Sequence, residues 1–143
     1  MINLFELDPS CRLADLPGYG YAKVSGSLRR DWQRVLEGYL MHRESLRGLV
    51  LLMDVRHPLT TLDDQMLRWR AARRLPVHVL LTKADKLGRG RAAATLREVT
   101  RRIAEGHGGV TAQLFSSLNG AGVEEARCRL DQWLDREPTS NGS

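Results

Sequence analysis

Cysteine is almost absent from this chain. Its two copies, Cys11 and Cys128, lie far apart, and no C-x-x-C or metal-like spacing surrounds them. A disulfide scaffold and a zinc module are both excluded on that count. Long apolar runs are missing too. The longest, Leu49-Val50-Leu51-Leu52-Met53, is far too short to cross a bilayer. Residues 1–15 show no basic start followed by an apolar core, the pattern of a secretory leader. The expectation is a cytoplasmic protein with no membrane span. Aromatic residues are only 6% of the chain and do not interleave with its basic clusters, so no stacking platform for single-stranded nucleic acid is visible. Acidic residues are the minority charge: 17 Asp and Glu against 22 Lys and Arg leave +5. That excess favours polyanions, meaning nucleic acid or phosphorylated ligands, or else marks ordinary solvated helix faces. At 143 residues, 42% apolar and 27% charged, the chain is the size of one domain and can bury a single core.

The apolar pattern changes period along the chain. Ile2 to Leu7 alternates, Asp8-Pro9-Ser10 is a turn signal, and Cys11 to Ala14 resumes the alternation, which predicts a hairpin. Pro17, Gly18, Gly20 and Gly26 mark an irregular stretch. From Ser27 to about Arg47 the spacing of Leu28, Trp32, Val35, Leu36, Tyr39 and Leu40 predicts a helix. Two buried strands follow, Leu49–Met53 and Val77–Leu81, joined by a helix starting at Thr60 or Thr61. A helix over 91–105, a strand over 110–115 and a helix over 123–136 complete the pattern. In that last helix Val123, Ala126, Leu130, Trp133 and Leu134 are expected to be buried. Strands alternating with helices predict a layered α/β domain whose ligands gather at the carboxyl ends of the strands.

Polar segments stand at those ends. Asp15-Leu16-Pro17-Gly18 follows the strand ending at Ala14; an Asp there can hold magnesium, usually through water, and a Gly can bring its N–H against a terminal phosphate. Thr82-Lys83-Ala84-Asp85 follows the strand ending at Leu81. A carboxylate at Asp85 can accept from both N1–H and the exocyclic amine of guanine, a donor pair adenine lacks, and the stem of Lys83 can lie against the base. Phe115-Ser116-Ser117 can direct N–H groups and hydroxyls at the base carbonyl. Asp54 to Pro58 closes the Leu49 strand, with His57 either functional or capping the next helix.

Three strings carry a resemblance: Asp15-Leu16-Pro17-Gly18-Tyr19-Gly20-Tyr21-Ala22, Met53-Asp54-Val55-Arg56-His57-Pro58, and Leu80-Leu81-Thr82-Lys83-Ala84-Asp85-Lys86-Leu87. From Ile2 to about Leu134 the chain resembles the EngB-type GTP-binding proteins of the translation-factor-related GTPase superfamily. The resemblance implies a Ras-like P-loop GTPase fold over 1–136: three layers, a mostly parallel sheet with one antiparallel edge hairpin, then a disordered tail over 137–143. It implies GTP and GDP as ligands and magnesium as cofactor. Asp15, Leu16, Pro17 and Gly18 would stand at the γ-phosphate and magnesium, with Asp15 reaching the metal through water. Thr82, Lys83, Ala84 and Asp85 would read guanine, helped by Phe115, Ser116 and Ser117. It further implies a monomer with a role in assembly of the large ribosomal subunit, in cell division and in septation.

No G-x-x-x-x-G-K-[ST] occurs in the sequence. Relatives carry that phosphate loop ahead of the region matched here, so the resemblance implies an N-terminally truncated chain lacking the loop, the switch threonine, the first strand and the first helix. Losing three charge-assisted hydrogen bonds costs on the order of 5 kcal/mol, a thousand-fold or more in affinity. These 143 residues are therefore expected to bind GTP feebly and not to hydrolyse it alone. Without a central first strand, the flanking strands either close on each other or the sheet splits and stability suffers. Tyr19 stands where many Ras-like GTPases place a water-orienting Gln, and with Tyr21 forms either a packing hinge or part of the site. Arg29, Arg30 and Arg34, then Arg68, Arg73 and Arg74, and Arg97, Arg101 and Arg102 offer basic faces for structured RNA phosphates or for solvent. The rival reading is a non-catalytic α/β interaction module that binds ribosomal RNA or a protein without nucleotide.

Overall fold

A computed structural model describes residues 3–8, 11–15, 47–71 and 74–134, together with Arg30, Arg34 and Gly38. The chain divides into two compact units, Met1–Glu44 and Ser45–Ser143. In the first, β1 (Asn3–Asp8) and β2 (Cys11–Asp15) pair antiparallel, with an irregularity between Glu6 and Asp8. The alternation in the sequence thus becomes a hairpin with Asp15 as its last residue. Arg30, Arg34 and Gly38 are helical, and both arginines are exposed. Leu16 to Tyr21, Arg29, the remaining helix-facing positions and the tail from Asp135 lie outside the described residues.

The second unit is a parallel sheet of β3 (Leu49–Asp54), β4 (Val77–Thr82) and β5 (Val110–Leu114), in the order β3-β4-β5. The hairpin is the two-stranded sheet of the first unit, and the parallel strands are the three-stranded sheet of the second. β4 is central, which is why its apolar run is buried on both faces. β3 lies outside it. Leu49, Leu51 and Met53 are buried there, whereas Leu52 is 58% exposed, so this run is covered on one face and not on two.

Helices return the chain between strands. α1 (Thr61–Ala71) begins with a reciprocal cap: the Thr60 N–H donates to Asp63 Oδ2 (2.9 Å) and the Asp63 N–H to Thr60 Oγ1 (3.2 Å). His57 does not cap it; its N–H donates to the Asp54 carbonyl (2.9 Å). α2 (Arg89–Gly106) buries Ala92, Val99 and Ile103 and packs on β5. α3 (Val123–Trp133) differs from expectation, since none of its residues is fully buried. Its apolar stripe is half-covered; the Trp133 ring lies so near Gly48 that a Cβ there would come within 2.5 Å of it.

Candidate functional site

Register decides what meets at the carboxyl ends of the strands. β3 and β4 align Asp54 with Thr82, and β4 and β5 align Leu81 with Leu114. The segments leaving these strands are therefore neighbours. Val55 N–H donates to the Thr82 carbonyl (3.0 Å), Phe115 N–H to the Leu81 carbonyl (2.9 Å) and Ala84 N–H to the Phe115 carbonyl (3.1 Å). Lys83 takes a left-handed conformation (φ 58°) and so starts the short 3-10 turn Ala84–Lys86. A non-glycine residue held there costs on the order of 1 kcal/mol, a strain that clusters at binding sites.

That turn aims Asp85 at the next loop. Ser116, fully enclosed, donates its hydroxyl to Asp85 Oδ1 at 2.6 Å and accepts the Asn119 N–H at 3.3 Å. The serine hydroxyl holds the Asp85 carboxyl below the usual carboxylate range. Thr82-Lys83-Ala84-Asp85 and Phe115-Ser116-Ser117, distant in sequence, are thus locked by one charge-assisted bond. The backbone N–H groups of Phe115 and Ser116 are spent inside the fold, on Leu81 and Ala121. Ser117 is exposed, and among the described residues neither its N–H nor its hydroxyl has a protein partner.

A second group beside it was not legible in the sequence. Asp54 accepts the Arg56 backbone N–H (2.9 Å) and both Nε (3.0 Å) and Nη2 (2.8 Å) of its guanidinium. Lys83 Nζ lies 3.7 Å from the same carboxylate. The Arg56 hydrogen bond above all drives the Asp54 carboxyl far below its usual range. Arg56 also acts electrostatically on Asp85, so the strand ends carry alternating charge. Thr82 itself turns inward, its hydroxyl on the Met53 carbonyl (3.2 Å). The signal that could have found this group is D-x-R at the end of a strand whose parallel neighbour ends in T-K.

Asp15 is placed by backbone alone, as the C-terminal residue of β2, and Leu16, Pro17 and Gly18 lie outside the described residues. No group of three or more His, Cys, Asp or Glu suited to a metal occurs among the described residues. One carboxylate at a strand end fits a water-mediated contact to a hard cation and not a full coordination shell. Of the basic clusters, Arg68 pairs with Asp64, and Arg101 is bridged to Glu98 and Glu105 at 2.6 Å each. The charge of these two arginines is therefore neutralised on its own helix face.

No family model matches the chain. Among curated proteins it is 54% identical over 134 residues to the probable GTP-binding protein EngB of Aromatoleum aromaticum, covering 94% of this chain and 62% of that protein. It is 49% identical over 143 residues to the probable GTP-binding protein EngB of Sodalis glossinidius, covering 100% of this chain and 68% of that one. The chain thus spans about two thirds of the length of these relatives. Among solved structures, a crystal structure of a probable GTP-binding protein engB matches with a TM-score of 0.76 at 13% identity, over 94% of this chain and 79% of that chain. That likeness supports the fold, and the identity across nearly the whole sequence supports kinship: the chain belongs to the EngB family.

Proposed function

We propose that this chain binds guanine nucleotides through the loops that follow β4 and β5. Asp85 accepts from N1–H and the exocyclic amine of the base, Ser116 holds that carboxylate in position, and Ser117 offers the open N–H. Lys83, whose ammonium is drawn toward Asp54, borders the base with its stem. The observation that carries the reading is the 2.6 Å bond between Ser116 Oγ and Asp85 Oδ1, which unites two motifs the sequence suggested separately. Adenine presents no matching donor pair, so the site rejects it by leaving the Asp85 acceptor unpaired. The names of the relatives support the same ligand class.

Asp15, Leu16, Pro17 and Gly18 are assigned to the phosphate side, with Asp15 holding magnesium through water; the metal would supply charge neutralisation at the phosphates. No phosphate loop lies in these 143 residues, so this polypeptide binds GTP weakly and does not hydrolyse it alone. The wider role proposed is cytoplasmic, as a monomer acting in large-subunit assembly and cell division. The exposed Arg30 and Arg34, with Arg29, are the surface offered to ribosomal RNA.

Titration with labelled GTP, GDP and ATP tests the reading. Guanine-selective binding that Asp85→Asn weakens roughly tenfold or more is the expected result. No binding at millimolar nucleotide would favour the interaction module instead. Association with large ribosomal subunits that falls steeply with salt, and is lost when Arg29 and Arg30 are reversed in charge, would support the partner.

A further inference from the structure

Beneath the Ser116 loop lies a line of polar side chains that the site itself does not use. Gln113 on β5 is 1% exposed and His78 on β4 is 2% exposed, deep in an otherwise apolar sheet. The Gln113 amide nitrogen donates to two carbonyls, those of Leu114 (3.0 Å) and Gly122 (2.7 Å). These carbonyls flank the loop 115–121. With both amide protons committed, Gln113 Oε1 can only accept, and it does so from His78 Nε2 at 2.6 Å. Nε2 therefore carries the proton, and His78 Nδ1 faces the Thr111 hydroxyl at 2.6 Å.

The loop so enclosed is braced across its middle. Ser116 N–H donates to the Ala121 carbonyl and Gly120 N–H to the Ser116 carbonyl, both at 2.9 Å. Gly122 takes φ +81° there, and its missing side chain is what lets Gln113 approach. We infer that Gln113, oriented by His78, is a positioning residue for base recognition: its amide clasps both ends of the loop and so fixes Ser116 against Asp85. The inference rests on the guanine reading of Asp85 proposed above. It adds a residue that touches no ligand yet sets nucleotide selectivity.

The probes are GDP and inosine diphosphate, which differ only by the exocyclic amine that Asp85 would accept. Gln113→Met keeps the volume and removes the clasp; His78→Phe keeps a ring and frees the Gln113 amide to turn. In a variant that retains a cooperative melt, the preference for GDP over inosine diphosphate falls about tenfold, and affinity for inosine diphosphate, which keeps N1–H but not the amine, falls less than affinity for GDP. An unchanged preference in folded Gln113→Met overturns the inference alone. Equal affinity for the two nucleotides in the unmodified chain overturns the guanine reading and the inference with it. Should neither variant fold, hydrogen exchange on the unmodified chain decides. The Gln113 carboxamide protons are expected to exchange as slowly as the Ser116 and Gly120 amides, and exchange at the rate of an exposed glutamine overturns the inference.

Discussion

Replacing Gly122 by alanine separates two reasons for a glycine. Its φ of +81° is left-handed, and an L side chain there costs about 1–2 kcal/mol. In addition, a Cβ would stand 2.1 Å from the Leu114 carbonyl oxygen and 2.6 Å from Gln113 Nε2. Backbone cannot yield as a flexible side chain does, so the turn must move by roughly 1 Å to reach ordinary contact, and the 2.7 Å bond from Gln113 breaks. An unpaired buried amide adds about 1–3 kcal/mol. The total for Gly122→Ala is about 2–5 kcal/mol. Gly120 is the internal control. Its φ is +78°, but nothing lies within 4 Å of its Cβ position, so Gly120→Ala costs only the backbone part, about 1–2 kcal/mol. Urea denaturation followed by far-UV circular dichroism gives both values. Asparagine, which tolerates the left-handed region, should recover part of the loss at 120 and none at 122. Equal losses for the two alanine variants, or recovery by asparagine at 122, would refute the steric argument.

Gly48→Ala forces a Cβ within 2.5 Å of the Trp133 ring, and should lower stability by about 1–3 kcal/mol with a change in the near-UV dichroism of tryptophan. The Asp54 carboxyl titrates lower when folded than when unfolded, so the unfolded chain takes up its proton first as pH falls. Its stabilisation is complete above about pH 4 and is lost progressively below it; Asp54→Asn should flatten the acid limb between about pH 4 and pH 2 and leave the limb above pH 5 parallel. An acid limb unchanged in Asp54→Asn would count against the Arg56 pairing. Thr60→Ala removes one half of the α1 cap and should cost about 1 kcal/mol by thermal melting.

The parallel sheet was legible because β3 and β4 are short, mostly apolar runs and β5 an alternating one, each bounded by breakers, and Asp85 and the Ser116 segment because they stand directly after such strands. Four things were not. Burial of α3 could not be read from its stripe, since apolar spacing says which face turns inward and not what covers it. Leu52 is exposed because its side of β3 is not covered among the described residues, which a continuous apolar run does not encode. The Asp54–Arg56–Lys83 group and the His78–Gln113 clasp both depend on parallel register: each polar residue looks incidental until the neighbouring strand is laid beside it. His78 in particular sits within a run that reads as simply apolar.

The central claim, that Asp85 reads the base, is tested most directly by exchanging one acceptor for one donor. Asparagine at this position keeps an oxygen for N1–H and presents an amide to the carbonyl that xanthine carries in place of the guanine amine. Nucleotide competition should show the unmodified chain preferring GDP and the Asp85→Asn chain preferring xanthosine diphosphate. A variant that loses affinity for both nucleotides in parallel, or keeps its preference for GDP, would contradict the account.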